Sequence, residues 1–323
     1  MSGSMVRRRL LLHGLMAFVL AAPLRSRAQS KARRVTLVNR VAPLTEAFRA
    51  GLRDHGWLDG PRFVFEPVSE YTDTTAANAV QRAVESNPDV LVIPGGPNLA
   101  IASRLTQRVP IVGIDLESDP VAAGFIKTLA RPGGNMTGVW LDLPELAGKQ
   151  AQFVREIVPG AATIGALWDE RVGLPQLNAL QSAARANKFI VHAAVIRPES
   201  DVEAAVARLG KERVKALVAL TAPIIFMNRA RICDAALKHQ LPLFSIFPNF
   251  PDAGALLGYG PNLAGMFRQA AGHVSRILNG AKPAEIPIER PAKFELVLNV
   301  KTGKTLGISL APALLARADR VVE

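Results

Sequence analysis

The chain has 323 residues, 49% of them hydrophobic and 20% charged, with one cysteine, so a globular protein without an internal disulfide is predicted. Its formal net charge of +12 includes five arginines that precede residue 29, and the other basic residues are spread along the chain. Because nucleic-acid-binding proteins gather Lys and Arg into patches, we expect no nucleic-acid partner.

The first 28 residues have the three parts of a secretory signal peptide. A basic start at Arg7–Arg9 is followed by an apolar run, Leu10–Ala22, and by a small-x-small cleavage pattern at Ser26–Ala28. The apolar run is shorter than the roughly 20 residues that span a bilayer. We therefore expect export to a bacterial periplasm, and the absence of a cysteine in this segment argues against a lipoprotein. A disordered basic arm or a membrane anchor is the alternative interpretation.

After residue 28, the first half of the chain alternates short apolar runs with segments of helical spacing. The apolar run at 90–93 is typical of a strand that is covered on both faces. Strands are predicted at 33–39, 61–68, 88–96 and 109–115, and helices at 44–56, 73–87 and 97–108.

The second half repeats this order of elements. Strands separated by helices indicate βαβ units and parallel sheets. Two halves with the same order predict two sheets, and hence two lobes, with a single long sheet as the alternative. Strands are predicted at 162–169, 189–196, 214–222 and 241–247, and helices at 174–188, 199–212 and 226–240.

The C-terminal part departs from this alternation. A short strand at 258–261 precedes an amphipathic helix at 263–278, and residues 288–310 are then predicted to form a proline-bounded linker, an edge-like strand and a short helix. A late helix followed by one more strand is expected when the chain returns to the first lobe and then crosses again.

No convincing catalytic set, metal-ligand spacing or cofactor motif emerges, so neither an enzyme nor a bound cofactor is predicted. The segment Gly303–Thr305 lacks the earlier glycine of a phosphate-binding loop. Asp115, Glu117 and Asp119 form either a carboxylate cluster or, as we favour, a polar loop after a strand. Cys233 lies on an apolar helix face and is predicted to be a buried structural thiol.

The loops that follow the predicted strands are the candidate binding segments, because ligands of open α/β sheets bind beyond the carboxyl ends of the strands. The amides of Gly95–Asn98 are predicted to attract a ligand carboxylate at the start of a helix. Trp168, Phe247 and Tyr259 are predicted to form its apolar or stacking walls.

Several segments resemble one family. They include "DPVAAGFIKTLARPGGNMTGV", "ELAGKQAQFVREIVPGA" and "YGPNLAGMFRQAAGHVSRILNGAKP", and the resemblance covers essentially the whole chain after the predicted signal peptide. These segments look like those of ABC-transporter substrate-binding proteins, a group with tryptophan- and tyrosine-binding members. The resemblance implies the type I periplasmic binding fold, in which two Rossmann-like α/β lobes with parallel sheets are joined by three crossings at a hinge.

The resemblance also implies a division of the chain. Residues 29–138 and 261–286 would form lobe 1, and 139–260 and 287–323 would form lobe 2. Pro132–Gly134 would end the last helix of lobe 1. The three crossings would begin at Met136–Leu141 and lie near Leu256–Pro261 and Ile286–Pro291.

By the same resemblance, the protein would capture a small ligand, such as an amino acid or an aromatic carboxylate, and deliver it to an inner-membrane permease with its ATPase. We expect a monomer. Asn98 would hold a ligand carboxylate, Ser118 or Asp119 would meet an amine, and Tyr259 would close over the ligand at the hinge. The expected ligand-binding residues are Asn39, Gly96, Asn98, Asp115, Ser118, Asp119, Trp168, Thr221, Phe247 and Tyr259.

Two alternatives remain open from the residues. The first is a sensory receptor of the same fold that presents its ligand to a signalling protein. The second is an exported α/β enzyme that uses Asp115 or Asp119.

Overall fold

The computed structural model describes residues 32–72, 74–141, 143–172, 174–197 and 202–323. The predicted signal peptide and Gly173 lie outside these residues. Within them, none of the helices combines the length and the apolar character that a membrane span requires.

Strands and helices alternate through most of the described chain. The strands are β1 Arg33–Val38, β2 Phe63–Val68, β3 Val90–Pro94, β4 Ile111–Asp115, β5 Met136–Trp140, β6 Thr163–Trp168, β7 Ile190–Val195, β8 Leu217–Ala219, β9 Leu243–Ser245, β10 Leu257–Pro261, β11 Phe294–Asn299 and β12 Arg320–Val322. The helices are α1 Ala42–Asp54, α2 Ala76–Glu85, α3 Gly96–Leu105, α4 Leu143–Ile157, α5 Pro175–Ala186, α6 Val202–Lys211, α7 Pro223–Met227, α8 Arg229–Lys238, α9 Leu263–Leu278, α10 Val300–Thr305 and α11 Pro312–Leu315.

The strands form two separate sheets, as the repeated order of elements predicts. The first sheet has the order β2-β1-β3-β4-β5 and is parallel throughout. The central strands β3 and β4 are buried along almost their whole length, which explains their unbroken apolar character.

The second sheet has the order β12-β11-β10-β9-β8-β6-β7 and is parallel except where β11 runs antiparallel to β10. The prediction that β11 is an edge strand is wrong. The C-terminal β12 pairs with β11 through Val297 and Arg320, so β12 takes the edge position instead.

The segment between β4 and β5 is irregular, so the prediction of a helix ending at Pro132–Gly134 is wrong. The carboxylate of Asp119 accepts hydrogen bonds from the amides of Val121 and Ala122, which turns the chain directly after β4. Gly133 has a φ of +73°, and its amide donates to the carbonyl of Ala284. The stretch is therefore held by turns and by its hydrogen bond to Ala284, in the segment that follows α9.

Helix α9 returns to the first sheet, as expected from the late amphipathic pattern. Asn262 caps this helix, because its side-chain oxygen accepts a 2.6 Å hydrogen bond from the amide of Gly265. The helix packs against α1, where Gly51 permits close approach; a Cβ at Gly51 would lie 2.8 Å from the Cβ of Ala271.

The third crossing is hydrogen-bonded to the edge of the first sheet. The Glu289 amide donates to the carbonyl of Gly138, and the Trp140 amide donates to the carbonyl of Glu289. The carboxylate of Glu289 accepts hydrogen bonds from Gln269 and Arg276 on α9. This crossing is therefore held to both β5 and α9.

We propose that each sheet, with the helices that cover it, forms one lobe. Strand β5 continues to Trp140, two residues beyond the predicted boundary at 138, and β10 ends at Pro261. We place the proposed boundaries at the ends of these two strands. Elements of the first sheet, with α9, are called the first lobe below, and elements of the second sheet the second lobe.

The prediction that Cys233 is a buried structural thiol is confirmed. Its side chain is fully buried, and burial raises the pKa of the thiol to about 12. A thiol that stays protonated at neutral pH is a poor nucleophile.

Candidate functional site

A cleft with an internal volume of about 100 Å³ lies where strand ends of the two lobes meet. The first lobe contributes most of the lining, including Val41, Leu44 and Leu116, while the second lobe contributes an aromatic wall with Phe226 and Phe247. The cleft is therefore mainly apolar, with a few polar groups among these side chains.

The loops after the strands bring these residues together, as the sequence predicts. Asn39 follows β1, Gly95 and Asn98 follow β3, and Glu117 follows β4. On the second lobe, Phe247 follows β9.

The two lobes touch beside this cleft. The Thr221 hydroxyl lies 2.9 Å from the carbonyl of Leu116 and 2.5 Å from Oε1 of Gln176, and it shares its one proton between these two acceptors. Gln176 holds Thr221 in place, since it accepts from the Thr221 amide at 2.7 Å and donates to its carbonyl at 2.7 Å. Thr221 thus serves as an inter-lobe contact, rather than lining the cleft as a ligand-binding residue.

Gly95 lies at a second place where the two lobes approach each other closely. Its φ is +87°, a conformation that favours glycine, and a Cβ there would lie 3.3 Å from the Cγ of Pro223 in the second lobe. The residue therefore allows the chain to turn into α3 while the second lobe remains close.

Glu117 is the buried acid of the cleft. Its side chain is 4% exposed, and its Oε2 accepts a 2.6 Å hydrogen bond from the amide of Gly96. Burial, together with the negative charge of Asp115, raises the pKa of Glu117 well above its ordinary value. The Gly96 amide, which the sequence analysis assigns to a ligand carboxylate, is therefore occupied by a carboxylate of the protein itself.

Asp115 lies behind Glu117 and is fully buried. Its Oδ1 accepts from the Glu117 amide at 2.9 Å, and its Oδ2 accepts from the indole of Trp140 at 3.1 Å and from the hydroxyl of Ser118. Asp115 and Ser118 therefore shape the loop that carries Glu117. The expected contact of Ser118 or Asp119 with a ligand amine does not fit this geometry, because Asp119 is exposed and its carboxylate holds a turn.

The amide side chains of the first lobe do line the cleft. Asn39 donates hydrogen bonds of 2.9 Å to the carbonyl of Val41 and to the hydroxyl of Thr45, and Asn98 lies at the start of α3. Arg40 adds a positive charge to the lining, with its guanidinium 5.5 Å from the centre of the Tyr71 ring.

The aromatic wall is a stacked group in the second lobe. Phe247 meets Phe226 edge to face with ring centres 5.1 Å apart, and it stacks on Phe250 at 5.4 Å. Such packing fixes the ring of Phe247 at the cleft.

Tyr259 and Trp168 do not line this cleft, in contrast to their expected roles. Side chains of a strand alternate between its faces. On β10 the glycines face the segment before Phe247, since a Cβ at Gly260 would lie 1.9 Å from the Ile246 carbonyl oxygen. Tyr259 therefore points the other way, with its ring 5.3 Å from that of Phe153. Trp168 packs on the core of the second lobe.

Glu117 is the acidic cleft residue that the expected binding set lacks. The sequence places it in the right loop, two residues after β4, but gives no sign of its burial. That burial arises because the start of α3 and the second lobe both cover the loop.

Two α/β lobes with a cleft lined from both sides define the class of bilobal ligand-binding proteins. The chain belongs to the ABC transporter substrate binding protein family, whose model matches residues 42–322.

Three known proteins illustrate this relationship. The chain is 25% identical over 267 residues to a tyrosine-binding protein of Clostridioides difficile, covering 81% of this chain and 75% of that protein. It shares its fold with a conserved domain protein of Vibrio cholerae (TM-score 0.83, 24% identity) and with a domain of Streptococcus pneumoniae crystallised with L-Trp (TM-score 0.81, 20% identity). Each of these two structures covers 90% of this chain and is itself matched over 100% of its length.

Proposed function

We propose that this protein is the substrate-binding component of an ABC importer in the periplasm. It captures a small ligand between its lobes and delivers it to an inner-membrane permease that is driven by its ATPase. The observation that carries this proposal is the family match over residues 42–322, together with a cleft to which both lobes contribute.

The ligand that we propose is an amino acid or an aromatic carboxylate. The rings of Phe226 and Phe247 offer a flat apolar wall, and Glu117 and Arg40 add one potential charge of each sign. The names of two similar proteins, which refer to tyrosine and to L-Trp, agree with a ligand that has an aromatic part.

Binding proceeds by domain closure and involves no covalent step. In the open form, the first lobe presents most of the lining, and the second lobe then brings its aromatic wall over the ligand. The bond between Thr221 and Leu116 forms in the closed arrangement and stabilises it.

Ligand-dependent stabilisation tests this function. The protein, expressed with its own N-terminal segment and purified from the periplasm, is heated with each amino acid, with benzoate and 4-hydroxybenzoate, and with sugars as controls. A ligand at 100 times its Kd stabilises the folded state by about 2.7 kcal/mol. We expect a shift with aromatic amino acids or aromatic carboxylates, and a smaller radius of gyration in solution scattering.

The role in import requires a separate measurement. Cells that lack the protein are expected to lose uptake of the radiolabelled ligand, and a plasmid copy is expected to restore it. Binding without any loss of uptake would contradict the importer role, and chemical change of the ligand during incubation would contradict a binding function.

A further inference from the structure

We infer that Glu117 binds the ammonium group of the ligand and so makes the cleft selective for amino acids over carboxylates of the same shape without an amine. This inference rests on the proposed function, because it takes the cleft as the ligand site. Within that function, the inference favours amino acids over aromatic carboxylates, since the aromatic wall alone accommodates both ligand classes.

The two oxygens of the Glu117 carboxylate have different surroundings. Oε2 accepts the Gly96 amide at 2.6 Å, and this bond fixes the direction of the side chain. For Oε1, no hydrogen-bond donor and no ion-pair partner is found among the residues that the structure describes. Because Glu117 lines the cleft, Oε1 is placed to accept a hydrogen bond from a bound ligand or from water.

The charges around Glu117 favour a cation at this point. Asp115 lies directly behind it, and Asp169, at the end of β6, adds a second negative charge from the other lobe. Asp169 is paired with Arg171 at 2.6 Å. Among the described residues that line the cleft, Arg40 is the cationic side chain, so it places a positive charge near the site where the carboxylate of a zwitterion would lie.

Asp115 does not compete with Glu117 for the ligand. Its oxygens already accept bonds from the Glu117 amide, the Trp140 indole and the Ser118 hydroxyl. Burial, together with the negative charge of Asp115, raises the pKa of Glu117 and so favours the protonated carboxyl in the empty cleft. An ammonium group beside the carboxylate lowers this pKa again, so protons that Glu117 holds in the empty cleft leave to solvent when the ion pair forms.

Paired ligands that differ only in the amine test this inference by isothermal titration calorimetry. The pairs are L-tryptophan with 3-(indol-3-yl)propanoate and L-tyrosine with 3-(4-hydroxyphenyl)propanoate. We expect wild-type protein to bind the better amino acid at least about tenfold more tightly than its partner, the effect of one charged hydrogen bond. Glu117→Gln should reduce this ratio to about threefold or less, while Glu46→Gln, an exposed site on α1, should leave it unchanged.

Release of the Glu117 proton on ligand binding can be measured in the wild-type protein, without any substitution. Wild-type titrations in phosphate and in Tris, whose ionisation heats differ, should give different binding heats for the amino acid and equal heats for the partner without an amine. Glu117→Gln should remove the difference.

The outcomes separate this inference from the proposed function. If wild-type protein binds both members of a pair equally, or if Glu117→Gln keeps the full ratio, the inference is wrong and the proposed function stands. If neither pair binds to wild-type protein, the proposed aromatic ligand class fails and the inference fails with it.

Discussion

The hydroxyl of Thr221 donates a 2.9 Å hydrogen bond to the carbonyl of Leu116, and this bond joins the two lobes beside the cleft. Thr221→Val removes the hydroxyl, with its contacts to Leu116 and to Oε1 of Gln176, at little change of shape, and it leaves the Thr221 backbone bonded to Gln176. Since a neutral hydrogen bond contributes about 0.5–1.5 kcal/mol, we expect ligand affinity to fall about 2- to 12-fold. Titration calorimetry measures this effect.

Thr302→Val is the matched control. Its hydroxyl donates a 3.0 Å bond to the carbonyl of Gly254 within the second lobe. We expect a lower melting temperature with unchanged affinity. Equal loss of affinity in both variants would mean that the Thr221 effect is one of general stability.

The ligand-free stability should depend on pH through Glu117. Its pKa is raised by burial and by Asp115, so the native state holds this proton over a pH range in which the unfolded chain has lost it. The contribution of Glu117 is therefore fully present below its ordinary pKa and is lost as pH rises toward the raised value. Glu117→Gln stays neutral, so its free energy of unfolding relative to wild type should increase from pH 4.5 toward neutrality.

Denaturant unfolding at a series of pH values measures this difference. Glu46→Gln changes the same charge at an exposed position and should show no comparable trend. A constant difference between Glu117→Gln and wild type over this range would contradict the burial of an ionisable Glu117.

Gly95→Ala should weaken both folding and closure. The backbone at Gly95, with φ +87° and ψ 130°, costs an alanine about 1–3 kcal/mol, and its Cβ would press on Pro223 at 3.3 Å. We expect lower affinity together with a larger radius of gyration for the liganded protein. Gly134→Ala, where a Cβ meets nothing within 4 Å, should leave both quantities unchanged.

Gly51→Ala should destabilise the first lobe without changing ligand selectivity. The new methyl would lie 2.8 Å from the Cβ of Ala271, so α1 and α9 must move apart, and overpacking of this kind costs about 1–3 kcal/mol. Gly148→Ala on α4 meets nothing within 4 Å and should instead stabilise by about 0.5–1 kcal/mol. Denaturant unfolding of both variants shows whether each substitution lowers or raises the free energy of unfolding.

The sequence predicts the two sheets well because their strands are short apolar runs between helical patterns. Strands β3 and β4 have almost no polar interruption, and α9 carries a long apolar stripe. The expectation of a helix before Pro132 is wrong because Asp119 forms a turn directly after β4. Of the apolar residues in that stretch, Ile126 packs against the core of the first lobe, while Val121 and Leu129 are exposed. Strand β12 has only three residues, too few for a periodic pattern.

The site is predicted less completely, since a sequence gives the loop but not the direction of each side chain. Asn39, Asn98 and Phe247 line the cleft because they directly follow strands. Tyr259 is misplaced by the alternation of β10, in which the neighbouring glycines take the face toward the backbone of Ile246 and Phe247. Glu117 is interpreted from the sequence only as part of a polar loop, because its burial depends on α3 and on the second lobe, which are distant in sequence.

The hydrogen bonds of Glu289 restrict how the molecule can open. The third crossing is held to β5 and to α9 at this residue, so it moves with the first lobe as a rigid unit. In the domain closure that we propose, rotation is then taken up by the backbone torsions between Glu289 and β11, by those between β10 and α9, and by those just after Trp140. Because the rotation is confined to these short stretches, we expect one lobe to rotate relative to the other about a single axis and not over a wide range of orientations.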